Sequence, residues 1–441
     1  MNLPLLVNRC APAPFAAGAL LAASLAIAAN TGAAASRYEA PYPVALSKKG
    51  LQVEQVDDAL ALGVKQAALN FNLSQLIAPH GETNGPVWEA DGQHYFFHRA
   101  YLETMDRQIK ALSEHGVVVT LIVLTYQSAD PEVNRILIHP RCVPDAPNHL
   151  GNFNTVTAEG RGWLAATLGF CAERWSRPDQ AHGRVAGYIM GNEVNSHWWW
   201  ANMGHVTMEE FADDYLRTVR LAHQAIRQQS SWARVYLSLE HDWNRRYPAG
   251  DATQAFPGRA FLDYFARRAR EGGDFDWNLA FHPYPENLFE PRFWKDRTAT
   301  TNVLTTPRIT FKNIELLPAY LRRPGLLFRG EPRHLILSEQ GFHTPKGDDG
   351  EAIQAAAFCY AYKKIERLDG IDAFILHRHV DNAAEGGLLL GLRSNRPKDG
   401  DPHPKKKIYD CFRAADTPDW ERAFSFALPI VGLRSWDEVN P

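Results

Sequence analysis

Residues 101–124 read Tyr101-Leu-Glu-Thr-Met-Asp-Arg-Gln-Ile-Lys-Ala-Leu-Ser-Glu-His115-Gly116-Val117-Val-Val-Thr-Leu-Ile-Val-Leu124. The first half is amphipathic at helical spacing, its apolar residues returning every three or four positions. Gly116 marks the stop, because a glycine just past a helix takes the left-handed turn that other residues resist. From Val117 to Leu124 nearly every position is apolar, as in a strand covered on both faces. A helix feeding directly into such a strand is half of a parallel β-α unit.

The same alternation continues on both sides. Upstream, residues 53–62 read as a helix closed by Gly63 and residues 64–71 as a strand. Downstream come a helix over 160–175 and a strand over 185–190, a helix over 208–228 and a strand over 234–239, then a helix over 259–270 and a strand over 277–281. A proline-broken helix over 316–327 precedes a strand at 334–337, a helix over 353–368 precedes a last strand at 371–376, and a weak helix follows near 406–412. That makes seven strands, and residues 42–46 supply an eighth at the front. Eight β-α units in about 400 residues fit a closed (β/α)8 TIM barrel, a single large α/β domain, better than an open doubly wound sheet. No glycine-rich G-x-G-x-x-G turn follows any strand, and no 20- to 50-residue repeat is present. Residues 128–156 and 284–311 are long insertions after the third and sixth strands, where a barrel carries its substrate loops.

Composition agrees with one folded domain: hydrophobic residues are 45% and charged residues 22% of the 441, enough apolar material for a large core. The formal net charge of −3 gives no basic field for a phosphate backbone, which argues against nucleic acid as a partner. Residues 1–35 read as a secretory signal, with Arg9 ahead of a small apolar run and Ala33-Ala34-Ala35 as the cleavage site, leaving 36–441 as the barrel domain in a secreted or periplasmic protein. No later segment approaches 18 uninterrupted apolar residues, so no membrane span is expected there. Four cysteines follow the signal, Cys142, Cys171, Cys359 and Cys411, with no CxxC pair to suggest zinc. They are open to one or two disulfides in an oxidising compartment, or to buried free thiols.

In a barrel the polar residues at the carboxyl ends of the strands converge on one mouth. The fourth strand ends Gly191-Asn192-Glu193-Val194-Asn195 and the seventh ends Ser338-Glu339-Gln340-Gly341. Two carboxyl groups facing each other across a sugar are what glycosidic cleavage needs, one to protonate the leaving oxygen and one to attack or to activate water. The sixth strand ends Phe281-His282-Pro283-Tyr284, the second carries Asn70, and the fifth ends in Glu240 and Asp242, rival carboxylates or substrate contacts. Trp198-Trp199-Trp200 beyond Glu193, and Trp243 after the fifth strand, offer faces for stacking on sugar rings. After the eighth strand, His377-Arg378-His379 is a cationic cluster suited to an anionic sugar substituent, and equally to an internal ion-pair network.

The Asn-Glu on strand four and the Glu on strand seven resemble the clan A retaining glycoside hydrolases. The resemblance implies a (β/α)8 barrel acting on carbohydrate by double displacement without a cofactor, with Glu193 as acid/base, Glu339 as nucleophile and Asn192 as donor to the sugar's 2-hydroxyl. It implies that the hydroxyl of Tyr284, in a His-x-Tyr on strand six that begins with His282, touches the nucleophile. Asn195, Asn70, Trp198, Glu240, His377 and Arg378 are further substrate-side residues read from their places at the strand ends and not from the resemblance. The chain departs from the clan in having Val194 where many members have proline, no arginine at the end of strand two and no tryptophan at the end of strand eight. Two other classes remain: a carbohydrate-binding barrel without catalysis, and a metal-dependent hydrolase using His282, His377 and His379.

Overall fold

In the computed structural model, which describes residues 37–299 and 303–439, eight parallel strands close into a barrel. In chain order they are β1 (Lys49–Gln52), β2 (Gln66–Asn72), then, after a separate hairpin of β3 (Val87–Ala90) and β4 (Gln93–Phe96), β5 (Val118–Leu124), β6 (Gly187–Met190), β7 (Arg234–Glu240), β8 (Trp277–His282), β9 (Leu335–Gln340) and β10 (Ala373–Leu376). Each barrel strand pairs in parallel with the next, and β10 closes on β1 through Lys49–Phe374 and Leu51–Leu376. Helices lie between successive strands, among them Arg99–Glu114, Ala158–Arg174, Met208–Gln229, Gly258–Glu271 and Gly350–Glu366.

Seven strands fall where the sequence places them, and the first does not. Residues 42–46 form no strand, and Val44 and Leu46 are almost fully exposed. Barrel strand one is Lys49-Gly-Leu-Gln, whose single large apolar residue is Leu51. Lys49 is nonetheless buried, its ammonium donating to the carbonyl of Ala415 at 2.9 Å, so the strand hides from any reading based on hydrophobicity. Gly50 faces inward, where a Cβ would stand 2.8 Å from Gln66 Cβ and 2.9 Å from Ile375 Cγ1. The helix expected over 316–327 stops at Leu321, ahead of Pro324, which disfavours helical geometry in the residue before it.

Two apolar layers hold the barrel. A large outer cluster fills the space between strands and helices, and a small inner one, including Ala68, Ile122, Ile189, Tyr236, Ala280, Ile336 and Ile375, plugs the lumen below the mouth. The interior is therefore packed, and chemistry is confined to the strand ends. The hairpin β3–β4 turns at Asp91-Gly92, both with positive φ, and packs Tyr95 edge-on to Trp163 with ring centroids 4.9 Å apart. The segment after the sixth barrel strand is tied back to the fifth by Asp242–Arg308 at 2.8 Å and by Trp243 N–H to Pro307 O at 2.8 Å. After Phe412 the tail packs onto the barrel through short helices, Trp420–Phe424 and Ala427–Val431, with Phe424 against Phe358 and Trp436. Cys142, Cys171, Cys359 and Cys411 are free thiols. No helix among the described residues is long and apolar enough to cross a membrane. The secretory signal expected over residues 1–35 lies outside the described residues.

Candidate active site

β6 delivers the first carboxylate through a tight turn rather than from the strand itself. Gly191 has φ 80°, and Glu193 itself sits in the left-handed region at φ 39°, ψ 50°. A non-glycine residue held there carries strain of order 1 kcal/mol or more and persists only when its surroundings fix it. Here the Glu193 N–H donates to Ser238 Oγ at 3.0 Å, and the Glu193 carbonyl accepts from Ser196 N–H at 2.8 Å.

β9 delivers the second carboxylate through a bulge. Alternation along β9 turns Ile336 into the lumen and Leu337 toward the helices, which would leave Glu339 on the outer side. From Leu337 to Gln340 there are three steps on β9, whereas their partners Phe374 and Leu376 on β10 are two apart. The extra residue shifts the register at Glu339, and its carboxylate meets groups that belong to the mouth. Tyr284 OH donates to Glu339 Oε1 at 3.2 Å and Gln52 Nε2 donates to Oε2 at 3.1 Å.

His282, the last residue of β8, stands between the two. Its Nδ1 is 2.8 Å from Glu193 Oε1 and its Nε2 is 3.0 Å from Ser338 Oγ. An oxygen of Glu193, an oxygen of Glu339 and a nitrogen of His282 all lie within 4.8 Å of one another. Burial acts to raise the Glu339 pKa, but the charges of His377 and His282 and the bonds from Gln52 and Tyr284 outweigh it, and the carboxyl falls below its ordinary value. Burial likewise opposes charge on His282, yet Glu339 and Glu193 carry its pKa above the usual value. The buried Tyr284 phenol is pushed far up, first by desolvation and then by the carboxylates around it, so it remains a donor.

The other candidates sort by depth. Asn192 is buried beside Glu193, and Asn70, on the lumen-facing side of β2 with Ala68, is exposed at the mouth. Asn195 and Ser196 both donate to Glu240 Oε1, at 2.8 and 3.2 Å, while Glu240 Oε2 accepts from the Asp242 N–H at 2.6 Å. Glu240 is 5% exposed, and burial together with Asp242 and Glu193 pushes its pKa well above the ordinary carboxyl value, so this rival lies beneath the site, occupied by the chain's own donors. Trp198 leans on His205, ring centroids 4.7 Å apart, and Trp199 meets Tyr247 at 4.8 Å. Trp200, with Tyr126, packs against the inner cluster. Trp243 is fully buried against Phe281 and Tyr320 and offers no face to a sugar, a correction to the expectation from sequence.

The strand-eight cluster is paired within the protein. His377 Nδ1 lies 2.7 Å from Gln52 Oε1 and its Nε2 lies 3.0 Å from Glu385 Oε1. Arg378 bonds Glu385 and reaches Glu54 at 2.9 Å, and His379 is buried on Asp58 at 2.8 Å. These cations thus meet carboxylates of the chain itself, and the three histidines of the metal reading are dispersed: His379 turns to Asp58 while His282 turns to Glu193.

Four residues of this site escape the sequence reading: Gln52, Ser238, Ser338 and Glu385. Gln52 ends a strand whose position was misplaced, and Ser338 is the neighbour of an identified glutamate, so a correct first strand and attention to adjacent positions would find both. Glu385 lies in a loop and carries no pattern.

No curated protein matches the sequence. Solved glycoside hydrolases share the fold. A hyperthermophilic β-glucosidase from Pyrococcus furiosus has a TM-score of 0.53 at 14% identity, over 85% of this chain and 86% of that one. A glucosidase from Croceicoccus marinus has 0.50 at 13%, over 86% and 68%. A family 39 glycoside hydrolase from Bacteroides cellulosilyticus WH2 has 0.50 at 12%, over 81% of this chain and 59% of that one, so the match spans less than two thirds of that relative. At these identities the likeness is one of fold, a barrel that these glycoside hydrolases use. The model of DUF5722, a family of unknown function, matches residues 41–439, and the chain belongs to that family.

Proposed function

We propose that this protein is a retaining glycoside hydrolase in which Glu339 is the nucleophile and Glu193 the acid/base. The observation that carries the reading is the approach of the two carboxylates, oxygen to oxygen within 4.8 Å, at the carboxyl ends of the fourth and seventh barrel strands. Retention uses carboxyl groups about 5–5.5 Å apart, whereas inversion leaves room for water at about 6.5–9.5 Å. The electrostatics support the same division of roles. Glu339, held ionised by its donors, attacks the anomeric carbon. Glu193 protonates the departing oxygen and then deprotonates the water that releases the sugar, so the anomeric configuration is kept. A poly- or oligosaccharide is the substrate class, and the protein groups carry each step.

Turnover of a panel of 4-nitrophenyl glycosides, with the first-formed anomer read by proton NMR, tests the reading. Net retention is expected, and Glu339→Ala is expected to lower kcat/KM by several orders of magnitude with an unchanged melting temperature. Inverted product, or substantial activity in Glu339→Ala, overturns it.

The spacing of Glu193, His282 and Glu339 would also suit a metal ion, which makes a metal-dependent hydrolase the second reading. Full activity after exhaustive chelation rules it out. Export is part of the proposal and rests on the pattern of residues 1–35; the N-terminus of the protein recovered outside the cytoplasm is expected at Ser36.

A further inference from the structure

Gln52 is unusually constrained for an amide. Its Nε2 lies among acceptors, 3.1 Å from Glu339 Oε2 and 3.3 Å from the Ser338 carbonyl, so this end must be the NH2. The other end is then the carbonyl, and it meets His377 Nδ1 at 2.7 Å, which must donate. The second ring nitrogen of His377 faces Glu385 Oε1 at 3.0 Å, again an acceptor. Both ring nitrogens thus face oxygen acceptors, and the ring is held between Gln52 and Glu385. Glu385 in turn is fixed by Arg378, which is fixed by Glu54. A chain of alternating donors and acceptors runs from the carboxylate on β9 through β1 and the end of β10 to the loop beyond it.

We propose that Gln52 and His377 are positioning residues for Glu339, with Gln52 orienting the carboxylate and His377 holding the Gln52 amide in the orientation that does so. They occupy a site that lacks both an arginine at the end of the second strand and a tryptophan at the end of the eighth. Tyr284 alone reaches only one oxygen of Glu339. Gln52 takes the other, so the carboxylate is held at both oxygens and cannot rotate without breaking a bond. The groups facing His377 are Gln52, Glu339, Glu385 and Arg378, and only Arg378 is a cation, itself paired to two carboxylates. The assignment of these two residues rests on the proposed role of Glu339, but its measurement does not.

The test is the titration of Glu339 by carbon-13 NMR in full-length protein labelled at glutamate Cδ, its resonance assigned by loss in Glu339→Gln. His377→Leu, which removes the donor that holds the Gln52 amide, is expected to raise the Glu339 midpoint by about one unit, as a weakened hydrogen bond to the charged form does. Gln52→Met is expected to raise it as well and to lower kcat on 4-nitrophenyl glycosides at least tenfold with little change in KM. The variants' melting temperatures report any structural loss separately. If both midpoints stay at the wild-type value while melting temperature falls, the residues are structural and the proposal fails. Activity surviving in Glu339→Ala would overturn the role of Glu339 while leaving the titration result standing.

Discussion

At the scale of single residues, the site is a contest over one carboxylate's charge. Glu339 is half-buried beside a second carboxylate, an environment that favours protonation, and two hydrogen bonds with two imidazoles reverse the balance. Each donor should therefore show a cost in rate. Tyr284→Phe removes one hydrogen bond to a charged acceptor, worth about 1.5–3 kcal/mol, and is expected to lower kcat by about 10- to 100-fold on 4-nitrophenyl glycosides with the fold intact. A loss below threefold would mean that Gln52 alone suffices. Glu193, Glu339 and His282 were legible in the sequence because each stands at the polar end of an apolar run, and Tyr284 because His282-Pro283-Tyr284 resembles the His-x-Tyr of the clan. Gln52 was not, because its strand is four residues long with a lysine at its start and a glycine next to it. Burial of that lysine depends on carbonyls more than 360 positions away, near Ala415, which no local window contains.

At the scale of elements, strand ends set direction and close approach sets tolerance. Gly341, just past β9, would place a Cβ 2.2 Å from the backbone carbonyl of His377, and a carbonyl in a strand end cannot swing aside as a side chain does. Gly341→Ala is accordingly expected to push β9 and β10 apart, costing about 1–3 kcal/mol in stability and most of the activity, since Glu339 and His377 lie on the two sides of that contact. Melting and kinetics on the same preparation check it, and an active, fully stable variant would show that the strands can slide. The long helices between barrel strands and seven of eight strands were readable from periodicity, whereas Pro131–Leu137, inside a stretch read as loop, and the short tail helices were not. The bulge in β9 was not, since register is a relation between strands and leaves no mark in either one. The Asp91-Gly92 hairpin carries a recognisable turn signal but lies outside the barrel's alternation.

At the scale of the whole molecule, burial of ionisable groups couples the fold to pH. Burial, the leading cause in each case, lowers His139, His197 and His223 to about 4 and His241 to about 3. The ordinary value is about 6.5, so between about 6.5 and about 4 the unfolded chain binds more protons at these sites and their contribution to stability falls as pH falls. Asp296, pushed up to about 7 chiefly by burial, has the opposite sign: what it contributes is present below its unfolded value and lost as pH rises toward 7. Variants separate the two. His197 is fully buried between Phe211 and Phe256, with Nε2 at 3.0 Å from the Thr253 carbonyl. His197→Gln is expected to be less stable than the parent at pH 7, with the gap in unfolding free energy narrowing toward pH 4 by up to about 1.4 kcal/mol per pH unit. A gap independent of pH would show that His197 binds protons equally in the folded and unfolded states. The bulge in β9 has one further consequence, for descent with modification. Because the side on which Glu339 emerges is fixed by the extra residue between Leu337 and Gln340, loss of the single position that follows Glu339 would return β9 to plain alternation and turn the carboxylate out of the mouth. Substitution at the positions around Glu339 can erode this site by degrees, but such a change of length would abolish it in one step, so a lineage that conserves the reaction must conserve the spacing even where the neighbouring letters drift.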